Sequence, residues 1–417
     1  VKIILSNYRY FLSGGPEKYL FATQSLLNAN GHEVFPFSVK SARNEKCDQQ
    51  DLFLSPIGDD FAVYAHEYRK TPLIVFKMLA RQFYCPEAFF KARSFARFTD
   101  ADIVYSLQYL NKMSPAVLDG FKSAGVSLVV RISDFGLICP QAHLFDGSVV
   151  CERCLGGNFL HAATHRCVKH SFAAGLIKCA ALSLQRLLGC QTRIDAFVFP
   201  SKFTMGRFIE AGFSKDKLHH VPTFIEASSI SPCYEPRGHI LYFGRLVVEK
   251  GVHHLLKAYR DLPPNKPRLI AIGALGNTPY ADALMDEYKD EVEFHAFMEK
   301  DELKNYVQRA LCVVIPSIWY DNLPNVLLEA YAYGKPVIAP RHGSFLDLVR
   351  DGETGLFYEA GNTNDLREKL AWALAHPIEM ADMGRTARAL VESEFSPELH
   401  YKRLMSIFEK VIKAKKK

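Results

Sequence analysis

The sequence predicts an α/β protein built from two doubly wound domains, and three observations carry that prediction. Short apolar runs alternate with helical segments along the chain, the pattern of parallel strands joined by crossover helices. A strand, glycine loop and helix open the chain, and a second such unit opens near its middle. At 417 residues the chain exceeds what one core usually serves, so two domains are the natural division. Apolar residues at 48% and charged residues at 23% place it among globular proteins and exclude a disordered one. A net charge of +6 suits phosphate-bearing ligands or an anionic surface and gives no pointer to nucleic acid. No uninterrupted apolar run reaches the roughly 18 residues of a membrane span. The opening Val1-Lys2-Ile3-Ile4-Leu5 reads as a strand and not as a signal peptide, which makes the cytoplasm the expected location. Ten cysteines in such a chain read as thiols or metal ligands before disulfides.

The first domain is expected over 1–228. Lys2 to Leu5 lead a strand, Ser13-Gly14-Gly15-Pro16-Glu17 turns, and a helix follows from about Glu17 to Asn30, with Leu20, Ala22, Leu26 and Leu27 apolar. Gly31 stops it, and Glu33 to Val39 reads as the second strand. Gly14 and Gly15 let backbone approach a ligand closely. Residues 64–98 carry Arg69, Lys70, Lys77, Arg81, Lys91, Arg93 and Arg97 against Glu67 and Glu87, interleaved with Phe76, Phe83, Phe89, Phe90 and Phe95. The pattern admits two readings: surface helices with their aromatics in the core, or helices docked on anionic lipid headgroups. Further strands are expected at Ile103–Tyr105 and Val126–Ile132, followed by a Ser133-Asp134 loop, where Asp134 is either a turn former or a ligand contact.

A cysteine-rich insertion over 139–170 follows, with Cys139, Cys151, Cys154 and Cys167 spaced C-x11-C-x2-C-x12-C. Two thiolates at C-x2-C chelate one metal well, and two more complete a tetrahedron, so the expectation is a structural zinc with four free thiols as the alternative. Phe172 to Cys190 reads as a core or interfacial helix, Ala196–Phe199 as a strand, and Pro200-Ser201 as the start of another helix.

The loose stretch Glu226–Gly238 reads as a linker, which sets the second domain at 229–396. Ile240–Phe243 is its first strand, Gly244 the turn, and Val252–Tyr259 the helix, with Arg245 and Lys250 bracketing the loop. Two cations at a strand's C-terminal end suit a pyrophosphate. Strands are expected at Leu269–Ile272, Val292–Phe297, Val313–Ile315 and Val337–Ala339, and Gly273 and Gly276 follow the first of these as room for a nucleotide. The central stretch is Leu311 to Pro336. It reads as an apolar strand, a loop from Ser317 to Leu323, and a helix with Pro324 at its first position and Gly334 at its stop. Its N–H groups and dipole form a phosphate site. Asp321 and Glu329 flank the helix start, either as partners for sugar hydroxyls or as stabilisers of the dipole.

These residues resemble the signatures of retaining glycosyltransferases of family 4, which have the GT-B fold. Gly14, Gly15 and Glu17 fit the family's Gly-Gly-x-Glu opening. Arg245 with Glu249-Lys250-Gly251 fits its Gly-Arg-x3-Glu-Lys-Gly, and Glu329 with Gly334-Lys335-Pro336-Val337 fits the end of its Glu-x7-Glu motif and the turn beyond. Two positions depart from it: Asp321 stands where the family has Glu, and Ser133 where many relatives have His. The resemblance implies two Rossmann-like domains across a cleft, with a final helix over 397–417 packed back on the first. It implies transfer of a sugar from a UDP- or GDP-sugar to a glycan or lipid-linked acceptor, as in cell-surface polysaccharide synthesis, at the inner face of the cytoplasmic membrane. Gly14, Gly15, Gly244, Arg245, Lys250, Gly273, Asn322, Leu323 and Glu329 would then hold the donor and Asp321 the sugar hydroxyls. Arg245 and Lys250 would stabilise the departing diphosphate without a divalent metal, while Glu17, Ser133 and Asp134 would face the acceptor. The alternatives are a non-catalytic sugar-nucleotide or lipid-binding protein of this fold, or a phosphorylase or epimerase.

Overall fold

Two six-stranded sheets, parallel throughout, organise the chain in a computed structural model that describes residues 1–59, 61, 67–69, 71–235, 238–273 and 278–416. Gly276, residues 64–66 and Lys70 lie outside the described residues. The first sheet holds β1 (Lys2–Asn7), β2 (Glu33–Phe37), β3 (Ile103–Gln108), β4 (Ser127–Arg131), β5 (Ala196–Phe199) and β6 (Leu218–His220) in the order β2-β1-β3-β4-β5-β6. The second holds β7 (His239–Phe243), β8 (Arg268–Ile272), β9 (Val292–His295), β10 (Ala310–Val314), β11 (Val337–Pro340) and β12 (Gly355–Tyr358) in the order β12-β11-β10-β7-β8-β9. Strand order reverses between β1 and β3 and again between β7 and β10. Crevices that take ligands open at such points, outside the carboxyl ends of the strands.

Parallel strands covered on both faces read as continuous apolar runs, which is why Ala310-Leu-Cys-Val-Val314 is buried at every position. Alternate residues then divide between two cores. Leu241, Phe243, Ile270 and Val313 pack with Leu327, Leu328 and Tyr331 on one face of the second sheet. Ile240, Tyr242, Leu269 and Val314 pack with Leu255, Leu256 and Leu370 on the other.

From Pro72 the basic segment forms two helices, Pro72–Gln82 and Pro86–Thr99, each with a proline near its start. Their apolar residues divide between core and surface. Ala88, Ala92, Phe95 and Ala96 are buried, while Leu73, Phe76, Phe90 and Phe98 stand exposed. Arg81 is not a surface cation. It is buried, donating to the carbonyls of Met113 and Ser55 and to Glu87.

After helix Pro377–Glu394 on the second sheet, the chain returns to the first. Leu404, Met405, Ile407, Phe408 and Val411 of helix Pro397–Lys416 belong to the first sheet's core. The outward and return crossings run side by side, Ile225 N–H donating to the Phe395 carbonyl at 3.0 Å. His400 anchors the returning helix. The Pro222 carbonyl can only accept, so His400 Nδ1–H donates to it at 2.7 Å, and Nε2 accepts from the Tyr19 hydroxyl at 3.1 Å. With Tyr19 donating there, the Tyr105 hydroxyl donates to Tyr19 at 2.9 Å.

His400 is 2% exposed, and burial holds its pKa down at about 3 against an ordinary 6.5. Between those values the unfolded chain takes up a proton that the folded chain refuses, so His400 should subtract up to about 1.4 kcal/mol of stability per pH unit as pH falls through that window. Urea midpoints measured from neutral pH down to about pH 5 should therefore fall. The fall should be shallower in His400→Gln, and identical slopes in the two proteins would count against this buried neutral histidine.

Candidate active site

The loops after β7 and β10 meet at the second sheet's switch point, and backbone contact fixes how. A Cβ at Gly273, just past β8, would collide with the Gly244 carbonyl, so Gly273 serves a backbone-to-backbone approach between the β7 and β8 ends. Gly251 has φ +65°, and a side chain there would run into the Pro316 carbonyl. Ile318 N–H also donates to the Glu249 carbonyl at 3.1 Å. These contacts lay Lys250 against the Ser317–Leu323 loop.

There Lys250 Nζ lies 2.6 Å from Asp321 Oδ1, and Ser317 Oγ donates to Asp321 Oδ2 at 2.7 Å. Asp321 is 8% exposed and Lys250 20% at the side chain. Both carboxylate oxygens thus bond protein groups, each keeping a further lone pair. The residue read from sequence as a sugar contact is placed so that it holds the cation. Arg245 points outward, 60% exposed, with Nη2 at 3.8 Å from Glu249 Oε1, while its carbonyl is fixed by the Tyr242 hydroxyl at 2.7 Å.

The helix after the loop begins at Asn325, and Pro324 takes the capping position in extended conformation, one place before the position read from sequence. Helix Gly15–Ala29 of the first domain starts directly opposite: a Cβ on Gly15 would stand 2.8 Å from Asn325 Nδ2. One turn further on, Lys18 Nζ lies 3.8 Å from Glu329 Oε1. Desolvation pushes the Glu329 carboxyl up, opposed by Lys18 and Lys300, and its 29% exposure limits that rise. Asn322 spans the domains, its Nδ2 donating to the Ile132 carbonyl at 2.8 Å and its Oδ1 accepting from Thr204 Oγ1 at 2.7 Å. Leu323 packs on the second sheet's core.

Three residues read as facing the acceptor bond to their own neighbourhoods. Glu17 is fully buried in the glycine loop, accepting from Ser13 Oγ at 2.9 Å and from Arg9 at 3.4 Å, so it shapes the loop from beneath. Ser133 Oγ accepts from Arg131 Nη1 and donates to the Leu107 carbonyl. Asp134 Oδ1 accepts from Gly136 N–H at 2.7 Å and lies at the first-domain cleft. Several contacts carry no sequence signal. His342 Nε2–H donates to the Ser317 carbonyl at 3.0 Å, and the His143 and Trp319 rings meet edge to face at 4.9 Å. Lys18 stands beside the motif residue Glu17 and was missed because only the fold brings it to Glu329.

The structure draws the four cysteines of the insertion into one neighbourhood: Cys139, Cys151 and Cys167 all raise the thiol of Cys154, behind burial itself. Among the described residues, however, no group of three or more His, Cys, Asp or Glu side chains takes a metal-holding arrangement, and all ten cysteines are free. Cys154 and Cys167 pack with Phe159, Ala162, Ala163, Cys179 and Leu182, and burial raises the Cys139 thiol.

Residues 225–390 match the family model described as glycosyl transferases group 1. Over 297 residues the chain is 27% identical to a GDP-mannose-dependent monoacylated alpha-(1-6)-phosphatidylinositol monomannoside mannosyltransferase of Corynebacterium glutamicum, covering 66% of this chain and 75% of that protein. Over 194 residues it is 29% identical to a D-inositol 3-phosphate glycosyltransferase of Arthrobacter, covering 41% and 45%. Among solved structures it resembles sucrose-phosphate synthase from Thermosynechococcus elongatus, with TM-score 0.73, 17% identity and 99% of each chain covered. It also resembles Anabaena HepE in complex with UDP, with TM-score 0.63, 16% identity, and 98% and 99% covered. Fold, matched segment and relatives agree, and the chain is a glycosyltransferase with a group 1 domain set in the GT-B fold.

Proposed function

We propose that the chain moves a sugar from a nucleotide-sugar donor to a lipid-linked acceptor with retention of configuration, as family 4 enzymes do. The observation that carries this reading is the placement of Arg245 and Lys250 at the second sheet's switch point, with Lys250 fixed by Asp321 and the Gly14-Gly15 turn across the cleft. Breaking the bond between sugar and diphosphate builds negative charge on the leaving oxygen. The tethered Lys250 ammonium and the first N–H groups of helix Asn325–Ala332 would offset that charge without reorganising, and the exposed Arg245 would add to it once the diphosphate orders it. The departing phosphate oxygen takes the acceptor's hydroxyl proton as the acceptor attacks from the same face. Glu329, in the helix's second turn, would accept from donor ribose hydroxyls.

Relatives named for GDP-mannose and for phosphatidylinositol monomannoside support a GDP-sugar and an inositol lipid as the first pair to try. Exposed Leu73 and Phe76 beside Lys77, and exposed Phe172, Leu176 and Ile177, support a peripheral position on an anionic membrane, where lipid-linked intermediates of cell-surface glycans reside. No described helix is long and apolar enough to cross a membrane.

A panel of UDP- and GDP-sugars screened by thermal shift tests the reading, because a ligand of the folded state raises its melting temperature by mass action. At least one donor should stabilise the chain, and its product should keep the donor's anomeric configuration by proton NMR. Failure of every donor to stabilise the chain or to be turned over would overturn the proposal.

A further inference from the structure

The first sheet has a switch-point crevice of its own, between the ends of β1 and β3, lined by Tyr8, Asn111, Lys112, Arg131, Ser133 and Asp134. The donor machinery uses none of its cations. Lys178 of helix Phe172–Leu187 leans over it and donates to Asn111 Oδ1. Lys112 Nζ donates to the Tyr68 hydroxyl at 2.9 Å. Burial and the charges of Arg9 and Lys169 bring the Lys112 ammonium down to about 8. Burial likewise brings Lys178 to about 8, with Lys169 and Lys112 repelling it and Asp134 attracting it. Lys112 thus lines the crevice and Lys178 reaches its Asn111, while Arg9 is already paired with the buried Glu17 at 3.4 Å and Asp134 and Glu67 supply further opposing charge.

Like charges gathered beside a crevice repel unless an anion joins them. A carboxylate presents two oxygens in one plane. A phosphate ester presents oxygens in three dimensions, which suits ammonium groups arriving from separate elements together with a tyrosine hydroxyl and an amide. The exposed apolar residues Phe172, Leu176 and Ile177 lie on the helix that supplies Lys178, so a headgroup phosphate in the crevice would have its acyl chains beside an apolar surface.

We propose that Lys112 and Lys178 form a phosphate subsite for the acceptor at the first sheet's switch point. This rests on the transferase reading, in which the acceptor occupies the first domain. The phosphate can belong to a lipid headgroup or to a soluble phosphate ester, and the test separates the two.

The intact chain would be titrated calorimetrically with myo-inositol 1-phosphate and with myo-inositol. It would also be floated with vesicles of phosphatidylinositol in phosphatidylcholine and of phosphatidylcholine alone. Lys112→Gln and Lys178→Gln should each weaken phosphate-dependent binding about tenfold or more, the scale of a charge-assisted hydrogen bond. Lys178→Arg should retain most of it, and GDP binding should stay at the parent's level in all three, which also reports that they fold. Loss in the soluble arm assigns the site to the phosphate group itself. Loss confined to the vesicle arm assigns it to a headgroup held in a bilayer. Absence of phosphate-dependent binding in both arms, or glutamine variants that bind like the parent, overturns the proposal. Failure of the parent to bind GDP or any other nucleotide would count against the transferase reading and leaves the phosphate result to be judged separately.

Discussion

Lys250→Ala is expected to lower turnover by roughly 10²- to 10³-fold, the usual scale for removing one group that stabilises developing charge. The Lys250 ammonium is tethered to Asp321 at 2.6 Å in a mostly buried setting, so it is in place before the donor arrives. Arg245→Ala is expected at the lower end of the same range. Its guanidinium is 60% exposed and must be ordered by the diphosphate, so part of its contribution is used in that ordering. Steady-state rates with the donor found by thermal shift decide the matter. Because the effect falls on charge that develops in the transition state, kcat should fall more than nucleotide affinity. Near-parental rates in both variants would remove the pair from the chemistry.

Asp321→Ala should cost both turnover and stability. It leaves Lys250 without its carboxylate and the Ser317 hydroxyl without its acceptor in a site where Asp321 is 8% exposed. Breaking a buried pair from one side costs about 3–5 kcal/mol, and the partial exposure of Lys250 brings the expectation to about 2–3 kcal/mol. Turnover should fall with it, since an unheld lysine no longer stands where the charge develops. Asp321→Glu keeps the charge and adds a methylene, so it should stay active with a shifted preference among sugars. Denaturant midpoints and rates for the two variants, read together, provide the measurement. An alanine variant with the parent's stability and rate would show that Asp321 holds nothing of consequence.

Much of the fold was legible because parallel strands covered on both faces are apolar through their middles, as Leu128–Val130 of β4, Ile240–Phe243 of β7 and the whole of β10 are. Boundaries moved where a local contact outweighed the pattern. β2 stops at Phe37, and Val39 instead forms a lone bridge with Leu54. The loop cations of the second domain were legible because they stand at strand ends next to glycines. What joins them across the cleft was not. Asn322 reaches the Ile132 carbonyl over 190 residues, and Lys18 meets Glu329 only because two sheets face each other. Cysteine spacing likewise says how many thiols share a loop and nothing about where each sulfur points. Here Phe159, Ala162 and Ala163 fill the space beside Cys154.

The return of the chain from the second sheet to the first has a consequence for how the protein is made. Leu404 and Phe408 are fully buried in a core whose buried members outside helix Pro397–Lys416 end at Val221, so that core stays open until the whole second domain has been synthesised. The second sheet, from His239 to Tyr358, takes its last core residues from helices Thr363–Ala375 and Pro377–Glu394 and from Phe395, so it can close before the returning helix Pro397–Lys416 is made, against the usual order in which amino-terminal domains fold ahead of those behind them. A nascent chain of this protein therefore carries an unfinished first domain past a finished second one, with apolar surface on β3 and β4 waiting for a helix more than 170 residues downstream of Val221.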